Sequence, residues 1–268
     1  MNLKGKTALV TGASSGMGVE FAKQLAAMGA DLVITARRAD RLEKVAAAIA
    51  AAHGVKVTVV ALDLARQGAA RELYAKTEGE GVLIDVFINN AGVGLYGDFA
   101  GTPWEKIASL LQLDVVTCTE LLYLFAGAMK GRGGGHILNV ASYVAYMPVP
   151  NYAAYAAGKA YVRNLSEAAA YELKDTGVKV LAVCPGAVAT EFFETAGHGE
   201  PPWLVRMTIS TPDAVARTGL SALFRGRRVI VPGFLNALSA WMTRLGSRRL
   251  VLQIVGAVMR SRKALPKP

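Results

Sequence analysis

Seven short runs of β-branched and aliphatic residues, each followed by a longer segment with helical spacing, constrain this chain more than any other feature. The runs cover residues 7–11, 31–35, 55–61, 84–89, 136–141, 178–184 and 228–231. Most are apolar at every position rather than at alternate ones. That pattern suits strands of a parallel sheet covered on both faces. Between them, residues 16–28, 39–52, 67–78, 103–111, 115–130, 152–174 and 212–224 carry helical patterns. Thr211-Pro212-Asp213 has the signature of a helix start: a capping hydroxyl, a proline at the first position and an acid in the first turn. The alternation predicts an α/β fold of the Rossmann type, a doubly wound, seven-stranded parallel sheet with helices on both faces.

Composition narrows the function classes. The chain has 268 residues, 53% of them hydrophobic, enough for a full core and too apolar for disorder. Two cysteines without metal-ligand spacing exclude a disulfide framework and predict no metal; Cys118 and Cys184 read as buried thiols. The net charge of +10 is not spread evenly. Asp213 is the last acid, and 11 basic residues follow it; residues 1–213 carry 19 basic residues against 20 acidic ones. The body is therefore neutral and lacks the basic docking element of a specific nucleic-acid binder. No signal peptide is visible, and the apolar runs are shorter than a bilayer span. A cytoplasmic location is expected, with peripheral membrane contact through the tail left open. The expected division is residues 1–233 as a catalytic domain and 234–268 as a basic apolar extension.

The first strand runs into Thr11-Gly12-Ala13-Ser14-Ser15-Gly16-Met17-Gly18. Glycines here permit a tight turn and a close backbone approach to a diphosphate, which the free N–H groups of the next helix then receive. Gly12, Ser14, Ser15, Gly16, Met17 and Gly18 are the expected contacts. The second strand ends Ala36-Arg37-Arg38. An acid there would bind the ribose hydroxyls of NAD, whereas two arginines can hold the 2′-phosphate of NADP. NADP is therefore the expected cofactor, with NAD as the alternative. Asp63, followed by Leu64, has two readings: a cap on the adenine amino group or on the next helix.

Tyr155 and Lys159 lie four residues apart on a helical pattern and so share a face. A free phenol titrates near pH 10, but an adjacent ammonium and a positive nicotinamide would favour its ionised form. Such a tyrosine can give a proton to a carbonyl oxygen or take it back from an alcohol. Ser142, just past the fifth run, is placed to bond the same oxygen.

Together these residues resemble the short-chain dehydrogenase/reductase family, over about residues 7–224. The resemblance rests on Thr11-Gly12-x-x-x-Gly16-x-Gly18, Asn89-Asn90-Ala91-Gly92, Ser142, Tyr155-x-x-x-Lys159, and Pro185-Gly186 with Thr190, in that order. It implies that Tyr155 is the general acid/base, that Lys159 tunes it and holds the nicotinamide ribose, and that Ser142 orients the carbonyl. It also implies that Asn90, Ala91, Gly92, Pro185, Gly186, Val188 and Thr190 border the cofactor. One position departs from the family pattern. Asp114 stands where an asparagine usually anchors a water relayed toward the lysine. An aspartate there would hold the water or cap a helix, and it would raise the lysine and weaken its effect on Tyr155.

Phe192, Phe193, Trp203, Leu204 and Met207 follow the Pro-Gly turn and suit an apolar carbonyl or alcohol substrate, or else close a core or oligomer contact. The tail alternates apolar stretches with arginines. It reads either as a packing arm or as a basic amphipathic segment on an anionic membrane. The expected function is hydride transfer between NADP(H) and a carbonyl/alcohol pair, by a homodimer or homotetramer. An NAD-linked alcohol dehydrogenase and a weakly catalytic regulatory protein are the alternatives.

Overall fold

A computed structural model describes residues 1–189 and 208–260. Its seven strands are β1 (Thr7–Thr11), β2 (Asp31–Ala36), β3 (Val57–Ala61), β4 (Val86–Asn89), β5 (Gly135–Val140), β6 (Val178–Val183) and β7 (Val229–Ile230). They form one parallel sheet in the order β3-β2-β1-β4-β5-β6-β7. The helices are α1 (Gly16–Ala27), α2 (Ala39–His53), α3 (Ala69–Ala75), α4 (Trp104–Leu111), α5 (Cys118–Gly131), α6 (Ala153–Glu172), α7 (Pro212–Phe224), α8 (Phe234–Met242) and α9 (Arg248–Arg260).

Alternate side chains of each inner strand enter opposite cores, as the pleat requires. Ala8, Val10, Ile34, Ile88 and Leu138 pack with Phe21 and Leu25 of α1 and Leu220 of α7. Leu9, Val33, Phe87, Ile137 and Val180 pack with Leu73 of α3 and Phe125 of α5. Each fully buried Leu, Ile or Phe contributes about 1.5–3 kcal/mol. This two-sided burial explains why the strands read as continuous apolar runs. β3 is the exception: it is an edge strand, half exposed, and starts two residues later than its apolar run.

Two helical segments differ from the sequence pattern. α3 is only seven residues because Gly68, with φ +78°, takes the left-handed conformation that bars helix from starting earlier. Conversely, the two patterns around residues 103–130 join through a π-helical turn, Gln112–Thr117. The resulting rod, Trp104–Gly131, is long and apolar enough to cross a bilayer, although the separate runs are not. Its buried face packs on the sheet and on α6, so it is a core helix.

The strand order reverses between β1 and β4. The chain leaves their carboxyl ends in opposite directions and opens a crevice there, the place where this architecture binds ligands.

Candidate active site

The glycine-rich turn after β1 is tied to the end of β4. Thr11 Oγ1 accepts the backbone N–H groups of Asn90 and Ala91, both at 2.9 Å, and Asn90 Nδ2 donates to the Thr11 carbonyl at 2.8 Å. Gly12 has φ +67°, and a Cβ on Gly18 would lie 2.2 Å from the Gly12 carbonyl oxygen. Side chains are therefore excluded from both positions. α1 starts at Gly16 with no side-chain cap and no acid in its first turn. Its N–H groups and partial positive charge are left for an external anion, so the residues present fit a dinucleotide diphosphate.

Arg38 reaches over this turn and donates to Ser14 Oγ and Ser15 Oγ, each at 3.1 Å. Arg37 is exposed. Arg38 is thus the arginine the fold places beside the turn. Asp63 Oδ1 accepts the Ala65 N–H at 3.0 Å, a local turn bond, while the Leu64 side chain is core and its carbonyl accepts from Thr117 Oγ1.

The chemical end lies on the other side of β4. Ser142, Tyr155, Lys159 and Asp114 come from β5's end, α6 and the π turn, and all four are buried. Tyr155 and Ser142 share a side-chain hydrogen bond. Lys159 Nζ lies 5.7 Å from the centre of the Tyr155 ring, donates to the Val140 carbonyl at 3.1 Å and pairs with Asp114 Oδ2 at 3.0 Å. Asp114 Oδ1 accepts the Val93 N–H at 2.9 Å, and Gly92 lies against the pair. Asp114 is therefore not a helix cap. It sits inside a π turn, a distortion that recurs at functional sites, and meets the lysine directly.

This direct pair changes the electrostatics. Burial raises the Tyr155 hydroxyl above its ordinary value; Lys159 and Ser142 pull it down, and Asp114 pushes it up again. The net direction is upward. Burial alone would lower Lys159, but Asp114 foremost, with Tyr155 and Cys118, carries it well above the usual lysine range. Asp114 itself is raised by burial, against the pull of Lys159 and the Val93 N–H.

Behind the site, Asn89 Nδ2 donates to Asn139 Oδ1 at 3.0 Å and to the Cys118 carbonyl, and Asn139 Nδ2 donates to Ser166 Oγ at 2.9 Å. This buried network holds β4, β5, α5 and α6 together at the crevice. Asn139 and Ser166 belong to no motif in the sequence; the signal they leave is an asparagine at matching positions near the ends of two apolar strands. The thiols of Cys118 and Cys184 are buried, and burial pushes each up to about 12.

Pro185 accepts the Tyr143 N–H through its carbonyl, and Val188 bridges to Ser210. Gly186 packs against Asn236 of α8: a Cβ there would lie 2.6 Å from Asn236 Nδ2. Met259 of α9 joins Val149, Tyr152 and Tyr155 in one apolar cluster. Neither tail contact was visible in the sequence. Thr190 and the apolar residues Phe192, Phe193, Trp203, Leu204 and Met207 lie outside the described residues. Deleting residues 234–268 uncovers both contacts. The truncated protein is expected to aggregate on size exclusion and to melt earlier; full solubility and activity would assign the tail no packing role.

The short chain dehydrogenase family profile matches residues 6–201. The chain belongs to the short-chain dehydrogenases. Membership makes it an NAD(P)-dependent oxidoreductase. The ketoacyl reductase HetN of Nostoc sp. is 34% identical over 221 residues, covering 82% of this chain and 76% of the relative. The 7beta-hydroxysteroid dehydrogenase of Collinsella aerofaciens is 32% identical over 217 residues, covering 80% and 82%. A short-chain dehydrogenase from Sphingobium yanoikuyae, solved in complex with NADPH, superposes with a TM-score of 0.81 at 31% identity, covering 98% of each chain.

Proposed function

We propose that this short-chain dehydrogenase reduces a carbonyl group on an apolar substrate with NADPH. The observation that carries the reading is the buried Tyr155 hydroxyl, bonded to Ser142 with Lys159 beside its ring. A hydroxyl held above its ordinary pKa is protonated at neutral pH and is a proton donor there. When bound, NADPH supplies a hydride to the carbonyl carbon. Ser142 holds the carbonyl oxygen, Tyr155 gives it the proton, and the product is an alcohol. In this reading Lys159 holds the nicotinamide ribose, and Asp114 is a positioning residue that holds Lys159. The apolar cluster of Leu110, Val149, Tyr152 and Met259 around Tyr155 supports an apolar substrate, as do the ketoacyl and hydroxysteroid relatives. The test is NADPH consumption with apolar ketones, aldehydes and 3-oxoacyl thioesters, and Tyr155→Phe as the blank. No turnover above that blank on any of them would count against the reading.

Arg38 supports NADP over NAD. Arg38→Ala is expected to weaken NADPH binding about tenfold or more while leaving NADH nearly unchanged, since charge-assisted bonds contribute about 1.5–3 kcal/mol. Arg37→Asp, at an exposed position, shifts preference toward NAD by a smaller factor. Titrating both cofactors against the two variants reads this directly; equal losses for NADPH and NADH in Arg38→Ala would remove the assignment.

The oligomer in this reading is a homodimer or homotetramer formed through α5 and α6. Tyr123 and Tyr161 are exposed there, as is Val116 of the π turn that precedes α5, and Thr119 Oγ1 bonds the Tyr161 hydroxyl across the two helices.

A further inference from the structure

The last two described helices carry a surface that the reaction does not use. On α8 and its following turn, Phe234, Leu235, Leu238, Trp241, Met242 and Leu245 are all exposed, Phe234 by 80% and Leu245 by 71%. Their spacing is that of a single helix face. The opposite face is already docked, through buried Asn236 and Ala240. α9 continues the pattern: Leu250, Leu252 and Ile254 are exposed, while Gly256 and Met259 are buried. An outward apolar stripe on a helix whose inner face is satisfied needs a second partner.

Charge identifies that partner. Arg244 is exposed between the two helices, and Arg248 and Arg249 are exposed at the start of α9. Arg248 and Arg249 occupy the first turn of α9, where the helix's own positive end opposes them and no acid compensates. The chain has no acidic residue after Asp213. Two copies meeting through this face about a two-fold axis would set these arginines against each other, an arrangement of like charges that opposes pairing. A flat anionic surface satisfies both features at once. The apolar stripe enters the acyl boundary, and the arginines extend to the headgroups.

We propose that α8 and α9 form a platform that docks this protein on an anionic lipid surface. The inner face of α9 meets the Tyr155 cluster through Met259, with Val255 packed alongside. Docking therefore sets the substrate side of the site beside the bilayer, where an apolar carbonyl compound partitions. That consequence rests on the reductase reading; the docking itself does not.

The experiment is flotation of the full-length protein, without substrate or cofactor, with vesicles of phosphatidylcholine alone or mixed with phosphatidylserine. Binding is expected to the mixed vesicles only and to fall as salt rises. Arg244→Gln/Arg248→Gln/Arg249→Gln lowers partitioning about a hundredfold, each arginine counting for about fivefold near such a surface. Leu238→Ser/Trp241→Ser abolishes it. These side chains are exposed, so an unchanged thermal melt confirms that the variants are folded. Equal binding to both vesicle types, or to neither, overturns the proposal. So does a Leu238→Ser/Trp241→Ser protein that falls to a smaller oligomer in the absence of lipid, which assigns the face to a second copy. A protein that floats but shows no turnover keeps the docking and removes the reductase reading.

Discussion

Tyr155→Phe is expected to lower kcat by about a hundredfold to ten-thousandfold, the range that a positioned proton donor contributes. The substitution removes one oxygen and leaves the ring in its cluster with Val149, Tyr152 and Met259, so folding is preserved. NADPH affinity should change little, because the turn, Arg38 and Lys159 are untouched. The split between a collapsed kcat and a retained cofactor Kd is the diagnostic. Loss of both together would point to a collapsed site, and retention of kcat would move the proton donor elsewhere. The same tyrosine sets the pH dependence. A phenol raised above its ordinary value stays protonated through neutral pH, so carbonyl reduction should be flat there and fall only on the alkaline side. Alcohol oxidation needs the ionised form and should rise into the alkaline range.

Asp114 gives the second large effect, and its two variants separate charge from structure. Asp114→Ala leaves the Lys159 ammonium buried without its carboxylate. Removing one partner of a buried pair costs about 3–5 kcal/mol, which for a chain of this size lowers the thermal midpoint by roughly 10 °C. Asp114→Asn retains an oxygen for the Val93 N–H and costs less. It takes negative charge away from both Lys159 and Tyr155, which Asp114 raises, so both pKa values fall. The oxidation limb of the pH profile should therefore move to lower pH in Asp114→Asn. An unchanged profile would show that the carboxylate does not act on Tyr155. The linkage sign for Lys159 follows from its raised value. Its contribution to stability is complete below the ordinary lysine pKa and is lost as pH rises through the folded value. Wild type should thus lose stability at strongly alkaline pH, and Asp114→Asn should lose less.

The amino-acid sequence alone determined the sheet, the glycine turn and the Tyr155–Lys159 face. These features depend on local rules. Two-sided burial forces continuous apolar strands, a strand-to-helix turn at a diphosphate requires Gly12 and Gly18, and a four-residue spacing aligns side chains on a helix. What remained open involved partners far apart in the chain. Asp114 read as a water anchor in the relay, with a helix cap as the alternative, because a π turn leaves no mark in the spacing of apolar residues; only the packed rod turns its carboxylate onto Lys159. Arg37 and Arg38 are adjacent and chemically identical, and the path of the chain past Ser14 and Ser15 separates them. The tail's packing was also decided by tertiary contacts. Its inner residues, Asn236 and Met259, pack on the Pro-Gly turn and the Tyr155 cluster, while its outer stripe faces solvent. Tertiary structure decided these points because the balance at each site, a buried charge against its partner or an apolar face against its cover, depends on residues brought together from distant segments.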